Sequence, residues 1–180
     1  MTLFRKLCGA HGHVSRGLFH PAGGACYAVR MSNDKTIAIG ADHAGFALKD
    51  HLAGAARKAG WRVIDCGTNS AESVDYPDIA HAVSARIEHG EARLGLLVCG
   101  SGIGMAIAAN RHAGIRCAQA HDATEARLSR SHNNANVLAL GARLTGDVVA
   151  LDALHAFLST DYQGGRHDAR LAKLNPEPTR

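Results

Sequence analysis

The sequence predicts an α/β fold built on a five-stranded parallel sheet with helices on both faces. Short apolar runs alternate along the chain with longer segments of helical spacing, and the run LGLLVCG at residues 94–100 shows no polar alternation. A strand without alternation is typical of a sheet that is covered on both faces. Strands separated by helices need crossover connections, which are right-handed and give a doubly wound sheet.

Each predicted strand is a short apolar run. In chain order they are TIAIG (36–40), RVIDCG (62–67), LGLLVCG (94–100), GIRCAQA (114–120) and NVLALGA (136–142). After the first run, Leu48, Leu52 and Ala56 recur at i, i+4 and i+8, which predicts a helix that ends at Gly60. Pro77 suits the first turn of a second helix. The segment MAIAANRH at residues 105–112 predicts a third.

Length and charge limit the possible classes of function. A chain of 180 residues can form one domain with a substantial core. The net charge of +4 comes from residues 1–30, which hold four basic residues and no acidic one, so residues 31–180 are formally neutral. A neutral body with 4% aromatic residues argues against a nucleic-acid partner. We predict a disordered, non-core extension over residues 1–30 and one domain over residues 31–180.

The cysteine pattern indicates the compartment. Five cysteines form no CxxC pair, and an odd number of isolated cysteines is typical of a reducing environment. No apolar run approaches the roughly 18 residues that a membrane helix needs. We therefore expect a cytoplasmic protein without a membrane partner.

A glycine-rich turn, CGSGIG at residues 99–104, follows the third predicted strand and leads into a helix. Ligands of open parallel sheets bind at this carboxyl edge, and amides at the start of a helix attract anions. A tight connection without any ligand is one alternative. A dinucleotide site is another, and Asp122 about twenty residues on would fit it, but Met105 occupies the third glycine position of G-x-G-x-x-G.

Cys99 favours a catalytic interpretation of this turn, although a cysteine in a strand is often an inert core residue. At a helix N-terminus the pKa of a cysteine can fall below the free value of about 8.5, which gives a thiolate near neutral pH. A base beside amide donors can remove a proton alpha to a carbonyl and stabilise the enediolate, and one such donor contributes roughly 2.7 to 4 kcal/mol. Ser101 could assist this chemistry or only cap the helix.

Five segments together resemble the ribose-5-phosphate isomerase B family, which also contains galactose-6-phosphate isomerase subunits. They are GADHAGFALK (40–49), DYPD (75–78), CGSGIG (99–104), SRSHNNANVLALGAR (129–143) and GGRH (164–167). The resemblance covers about residues 35–175. It implies a Rossmann-like three-layer αβα sandwich without metal or organic cofactor. It also implies a homodimer with shared active sites and a C-terminal helix that reaches across the dimer, with a tetramer left open.

The resemblance implies that Cys99 is the base that moves a proton between the first two sugar carbons, with Ser101 assisting. The oxyanion amides would come from the turn itself, at Gly100, Gly102, Ile103 and Gly104. Some family members have a glutamate where this chain has Met105, and they lack the cysteine. This chain therefore resembles the cysteine type.

Further substrate contacts are implied on both halves of the chain. Asp42 and His43 would contact the ring oxygen and hydroxyls of the sugar, and Tyr76 would line the sugar pocket. His132 would open the furanose ring, because histidine exchanges protons near neutral pH. Asn133 would hydrogen-bond the enediolate.

Phosphate binding is assigned to three arginines by the same resemblance. Arg166 and Arg170 lie four residues apart, which predicts one helix face, and guanidinium groups suit phosphate. Arg143 completes the set. An ordinary solvated helix face is the alternative for the first two.

The predicted function is interconversion of ribose 5-phosphate and ribulose 5-phosphate, by ring opening and proton transfer through an enediolate. This reaction belongs to the non-oxidative branch of the pentose phosphate pathway. One alternative is an isomerase of a six-carbon sugar phosphate, allose 6-phosphate or galactose 6-phosphate. Another is a non-catalytic module that binds a sugar phosphate or nucleotide, which would leave Cys99 without a role.

Overall fold

The five predicted strands are present in the computed structural model, which describes residues 35–174. They are β1 (Thr36–Ala41), β2 (Arg62–Asp65), β3 (Leu94–Cys99), β4 (Cys117–Gln119) and β5 (Val137–Gly141). The sheet order is β2-β1-β3-β5-β4, and every pair is parallel. The predicted parallel sheet is confirmed.

The position of each strand in the sheet explains its composition. The three central strands, β1, β3 and β5, are buried at every residue, which matches their unbroken apolar runs. The edge strands β2 and β4 are partly exposed and shorter. The predicted run of residues 114–120 accordingly contributes only three residues to the ladder.

Helices cover both faces of the sheet. They are α1 (Phe46–Lys58), α2 (Tyr76–Glu88), α3 (Ile103–Ala109), α4 (Ala123–Asn133), α5 (Asp147–Ser159) and α6 (Asp168–Leu171), with a 3-10 turn at Gly165–His167 before α6. One core cluster joins Ile37 and Leu96 to side chains of α1, α4 and α5. The other joins Ala38 and Leu97 to α2 and α3. The three-layer arrangement follows from this division.

The predicted helices are present, but the third helix begins and ends earlier than predicted. Leu48, Leu52 and Ala56 are buried as predicted. The third helix begins at Ile103 and ends at Ala109, because the side chain of Asn110 leaves the helical pattern and pairs with the backbone N–H and C=O of Cys117.

The C-terminal segment departs from the single helix that the spacing of its arginines predicts. Arg166 lies in the 3-10 turn, and Arg170 lies in the four-residue α6. Gly164 and Gly165 both have a φ of 63°, so the chain turns sharply before either arginine. The two arginines therefore lie in two short consecutive helical turns and not in one regular α-helix.

The predicted extension over residues 1–30 lies outside the described residues. Within residues 35–174, none of the helices has the length and apolar character needed to cross a membrane.

Candidate active site

The glycine turn joins β3 to α3, and its conformation depends on Gly102. This residue has a φ of 81°, in the left-handed region that favours glycine. A Cβ at Gly102 would also lie 3.0 Å from the backbone carbonyl carbon of Leu140 in β5. The turn needs glycine both for its backbone angle and for its contact with the neighbouring strand.

The turn directs a backbone amide at the Cys99 thiol. The Gly102 N–H donates to Cys99 Sγ at 3.1 Å, and Cys99 is 5% exposed. An N–H donor stabilises negative charge on the atom that accepts from it. The local arrangement therefore suits a sulfur base that is held by the loop to which it belongs.

The Ser101 hydroxyl accepts a hydrogen bond from the Ile103 N–H at 3.3 Å. This local turn begins one residue before Gly102, the N-cap residue of α3, so Ser101 does not occupy the capping position itself. The amides of Gly102 and Ile103 both donate to acceptors inside the turn. Two of the four predicted oxyanion donors are therefore already hydrogen-bonded in this structure.

Asp42 and His43 lie beside the turn because β1 pairs with β3. The Asp42 N–H donates to the Val98 carbonyl at 3.1 Å. Asp42 Oδ1 accepts from the N–H groups of Ala44 and Gly45 at 2.9 and 3.0 Å, and the side chain is buried. The backbone thus holds the Asp42 carboxylate in place, whereas His43 is exposed at the same edge.

Arg143 and Tyr76 border the turn from two other elements. Arg143 follows β5, and its N–H donates to the Gly100 carbonyl at 3.1 Å. A Cβ on Gly100 would lie 3.6 Å from Arg143 Nε, which places the guanidinium against the turn. Tyr76 begins α2 and is 42% exposed, and a Cβ on Gly104 would lie 2.8 Å from its ring. The ends of β1 and β5 and the start of α2 therefore converge on the turn between β3 and α3.

The remaining predicted residues form a second cluster at the end of α4. The rings of His132 and His167 stack with centroids 4.5 Å apart and an interplanar angle of 12°. Arg166 Nε lies 3.5 Å from His167 Nε2. Burial, the neighbouring His132 and the charges of Arg166 and Arg170 lower the pKa of His167 from its ordinary value of 6.5. Asn133, the last residue of α4, is exposed beside this cluster.

The two groups lie at opposite edges of the sheet. A crossover helix runs antiparallel to its strands, so α4 ends at the amino edge. One contact fixes this placement: Arg116, just before β4, donates from Nε to the carbonyl of Asn134, just after α4, at 2.9 Å. A strand as long as β3 spans about 17 to 20 Å. Within one chain the structure therefore does not bring His132 and its neighbours to Cys99.

The sequence patterns do not predict that Lys49 of α1 is fully buried. Its Nζ donates to the two carboxylate oxygens of Asp65 at 3.0 and 2.8 Å and to the Thr68 carbonyl at 2.8 Å. The Thr68 N–H in turn donates to the Ala41 carbonyl at 2.7 Å. Lys49 thus ties the segment after β2 to the end of β1. The signal in the sequence is a lysine three residues before Leu52, on the apolar face of the helix.

Residues 35–174 contain three cysteines, and their potential metal ligands are dispersed. Cys66, Cys99 and Cys117 are free thiols. No group of three or more His, Cys, Asp or Glu side chains in this part of the chain could hold a metal ion.

Residues 37–174 match the family model described as ribose/galactose isomerase. The chain belongs to this family. The family assignment made from the five sequence segments is confirmed. Among curated relatives, ribose-5-phosphate isomerase B of Escherichia coli (strain K12) is 44% identical over 140 residues, which cover 78% of this chain and 94% of that protein.

Solved structures of ribose/galactose isomerases agree with the fold. A ribose-5-phosphate isomerase B of Clostridium thermocellum is similar with a TM-score of 0.76 and 46% identity, over 77% of this chain and 93% of its own. A ribose 5-phosphate isomerase of Thermotoga maritima has a TM-score of 0.75 and 50% identity, over 77% and 95% of the two chains. The predicted α/β sandwich is the fold of the family.

Proposed function

We propose that this ribose/galactose isomerase interconverts D-ribose 5-phosphate and D-ribulose 5-phosphate. The observation that carries the proposal is the Cys99 thiol at the carboxyl edge of β3, which accepts the Gly102 N–H. The bacterial relative and the two solved structures described above are all named for ribose 5-phosphate, which favours a five-carbon substrate over a six-carbon one.

The chemistry moves a proton between neighbouring carbons. The Cys99 thiolate removes the proton from C2 of the open-chain aldose, and the electron pair of that C–H bond forms the C1–C2 double bond of an enediolate. The negative charge that develops on O1 would be stabilised by backbone N–H groups of the glycine turn. The proton on the Cys99 thiol then passes to C1, which takes up the electron pair of the C1–C2 double bond. The proton of the C2 hydroxyl passes to O1, so C2 becomes the ketone and C1 carries a hydroxyl. C1 is reduced and C2 is oxidised, so no external redox partner is needed.

Ring opening must precede this step, because a furanose has no free carbonyl. A base takes the proton of the anomeric hydroxyl, and a proton reaches the ring oxygen as the ring bond breaks. His132 suits the first transfer. Asp42 and His43, beside the glycine turn, suit contacts to the ring oxygen and hydroxyls, and Tyr76 would form a wall of the sugar pocket. Asn133 would hydrogen-bond the enediolate.

A homodimer would unite the two groups of residues that one chain keeps at opposite edges. In a two-fold arrangement, the carboxyl edge of one protomer faces the amino-edge cluster of its partner, and two identical sites result. Each site would then combine Cys99 and Arg143 of one chain with His132, Arg166 and Arg170 of the other, and the three arginines would bind phosphate.

Exposed apolar side chains support a partner at this edge. Ile103 is 51% exposed and Ile107 is 57% exposed, and they lie one turn apart on α3, directly after the catalytic turn. A second chain that contacts the turn would cover them.

The proposed setting is the cytoplasm, with the reaction acting in the non-oxidative branch of the pentose phosphate pathway. The free thiols of residues 35–174 fit a reducing compartment. We also propose that residues 1–30 are an extension and not part of the catalytic domain, since the family match begins at residue 37.

A coupled assay of ketose formation tests the proposal. Ribose 5-phosphate, allose 6-phosphate and galactose 6-phosphate are compared in buffered D₂O, with the Cys99→Ala variant as the control protein. We expect the largest kcat/KM with ribose 5-phosphate and deuterium in the carbon-bound positions that exchange. Faster turnover of a six-carbon substrate would support the alternative isomerase. Tight binding without turnover or exchange would indicate a binding module.

A further inference from the structure

One peptide group of the catalytic turn has partners at both of its ends. The N–H of the Ser101–Gly102 peptide donates to Cys99 Sγ at 3.1 Å. The carbonyl of the same peptide points the opposite way, as in any trans peptide, and accepts from Gln119 Nε2 at 2.9 Å. Gln119 is the last residue of the edge strand β4. A single rigid unit therefore connects Gln119 to the Cys99 sulfur.

We propose that Gln119 is a positioning residue for Cys99: it anchors the Ser101 carbonyl so that the Gly102 N–H stays on the sulfur. An effect of Gln119 on catalysis rests on the proposed function. An effect of Gln119 on the environment of the Cys99 sulfur does not depend on that function. Gln119 lies outside the glycine turn and outside the five sequence segments on which the family resemblance rests.

The backbone around this peptide makes an anchor necessary. Gly102 tolerates a wide range of φ, so no side chain at this residue holds the preceding peptide in one orientation. A rotated peptide would direct the Ser101 carbonyl at the thiolate in place of the N–H. The carbonyl also packs closely on β5, because a Cβ at Gly141 would lie 2.6 Å from the Ser101 oxygen. Gln119 completes the enclosure of that oxygen with a hydrogen bond.

The hydrogen-bonding chemistry fixes the orientation of the Gln119 amide. A carbonyl oxygen can only accept, so the Gln119 NH₂ group must face Ser101. His121 Nε2 lies 3.5 Å from the same nitrogen, at the outer limit of a hydrogen bond. His121 Nδ1 lies 3.1 Å from the Glu125 carboxylate, which leaves Nε2 as the acceptor in a neutral ring. Glu125 and His121 thus favour the orientation in which Gln119 donates to the turn.

The test is alkylation of individual cysteines in the full-length chain. Gln119→Met removes the donor but keeps an unbranched side chain of similar length. Wild type and variant are treated with iodoacetamide at pH 7, and the rate at each cysteine is read by peptide mass spectrometry. We expect alkylation of Cys99 to slow about fivefold, the equivalent of one net hydrogen bond of ~1 kcal/mol. Cys66, which lies in the segment after β2, serves as the internal reference and should react at an unchanged rate.

Two further variants and a kinetic measurement separate positioning from general loosening. Gln119→Glu places a second acceptor against the Ser101 carbonyl and should slow Cys99 alkylation more than Gln119→Met. Ser84→Ala removes a buried hydrogen bond of α2, in which Ser84 Oγ donates to the Ala80 carbonyl at 2.8 Å, and should leave the Cys99 rate unchanged. In the isomerase assay Gln119→Met should lower kcat with little change in KM.

An unchanged or faster rate at Cys99 in Gln119→Met would overturn the proposal, and so would equal slowing in Ser84→Ala. If Gln119→Met does not fold, Gln119→Leu is measured against the same criteria. The alkylation result stands whether or not the wild-type protein isomerises ribose 5-phosphate. Failure of the positioning role and failure of the proposed function are therefore distinguishable.

Discussion

Cys99 is the residue on which the proposed proton transfer depends most directly. We predict that Cys99→Ala lowers kcat by about 10²- to 10⁴-fold, the range that a general base contributes. The fold should persist, since only one buried sulfur atom is removed. Ketose formation and thermal unfolding followed by circular dichroism measure the two effects, with Cys66→Ala as the matched control. If Cys99→Ala retains more than about a tenth of the wild-type kcat, another group is the base.

His167 gives the molecule a predicted pH dependence of stability. Its pKa in the folded chain is lowered from 6.5 by burial and by neighbouring positive groups, so the unfolded chain binds more protons just below that value. Stability therefore rises with pH across this window and is lost as the pH falls from about 6.5 towards the folded pKa.

We predict that His167→Phe, which keeps a planar ring against His132, reduces the difference in melting temperature between pH 5.5 and pH 7.5. His51→Gln, an exposed substitution on α1, should leave that difference unchanged. Equal pH dependence in His167→Phe and wild type would show that this imidazole does not contribute.

At the scale of elements, the Lys49–Asp65 ion pair links α1 to the last residue of β2. Removing one partner of a buried pair leaves an uncompensated charge and typically costs about 3 to 5 kcal/mol. Asp65 retains 34% exposure, so we predict the lower end, ~3 kcal/mol, for Lys49→Met. Urea unfolding measures the loss, and Lys58→Met, exposed on the same helix, is the control. Asp65→Asn added to Lys49→Met should recover part of the stability; a further loss of the same size would contradict the pairing.

The sequence predicts an element well where burial is uniform. The strands β1, β3 and β5 are buried throughout, and their apolar runs mark them clearly. The edge strand β4 is partly exposed, so the apolar run at residues 114–120 does not show where its hydrogen bonding to β5 ends. The order of the strands depends on the crossovers between them, and no local pattern encodes it.

Some features of the candidate site could be predicted from local sequence, and others depend on contacts between distant residues. The glycine turn is evident because its backbone needs glycine at Gly102 and close contact at Gly104. The partner of Lys49 is sixteen residues away, at Asp65, and spacing alone does not reveal it. The separation of His132 from Cys99 follows from the direction of α4 relative to β3. It becomes clear only when the sheet topology is known.

At the scale of the whole molecule, the two predicted groups of site residues are separated by the length of the central strands. Cys99, Asp42 and Arg143 lie at the carboxyl edge, whereas His132 and Arg166 lie at the amino edge. Under the proposed function, a second copy of the chain would complete the site. The shared site is the central claim of the proposed function.

Mixing two impaired variants, Cys99→Ala and Arg166→Ala, tests this claim most directly. Loss of one charge-assisted phosphate contact should cost about 1.5 to 3 kcal/mol in the second variant. After subunit exchange, verified with two affinity tags, half of the dimers are mixed, and each mixed dimer has one site with both lesions and one intact site. We predict recovery of up to about a quarter of the wild-type activity. A mixture that stays at the average activity of the two variants, with exchange verified, would contradict the shared site.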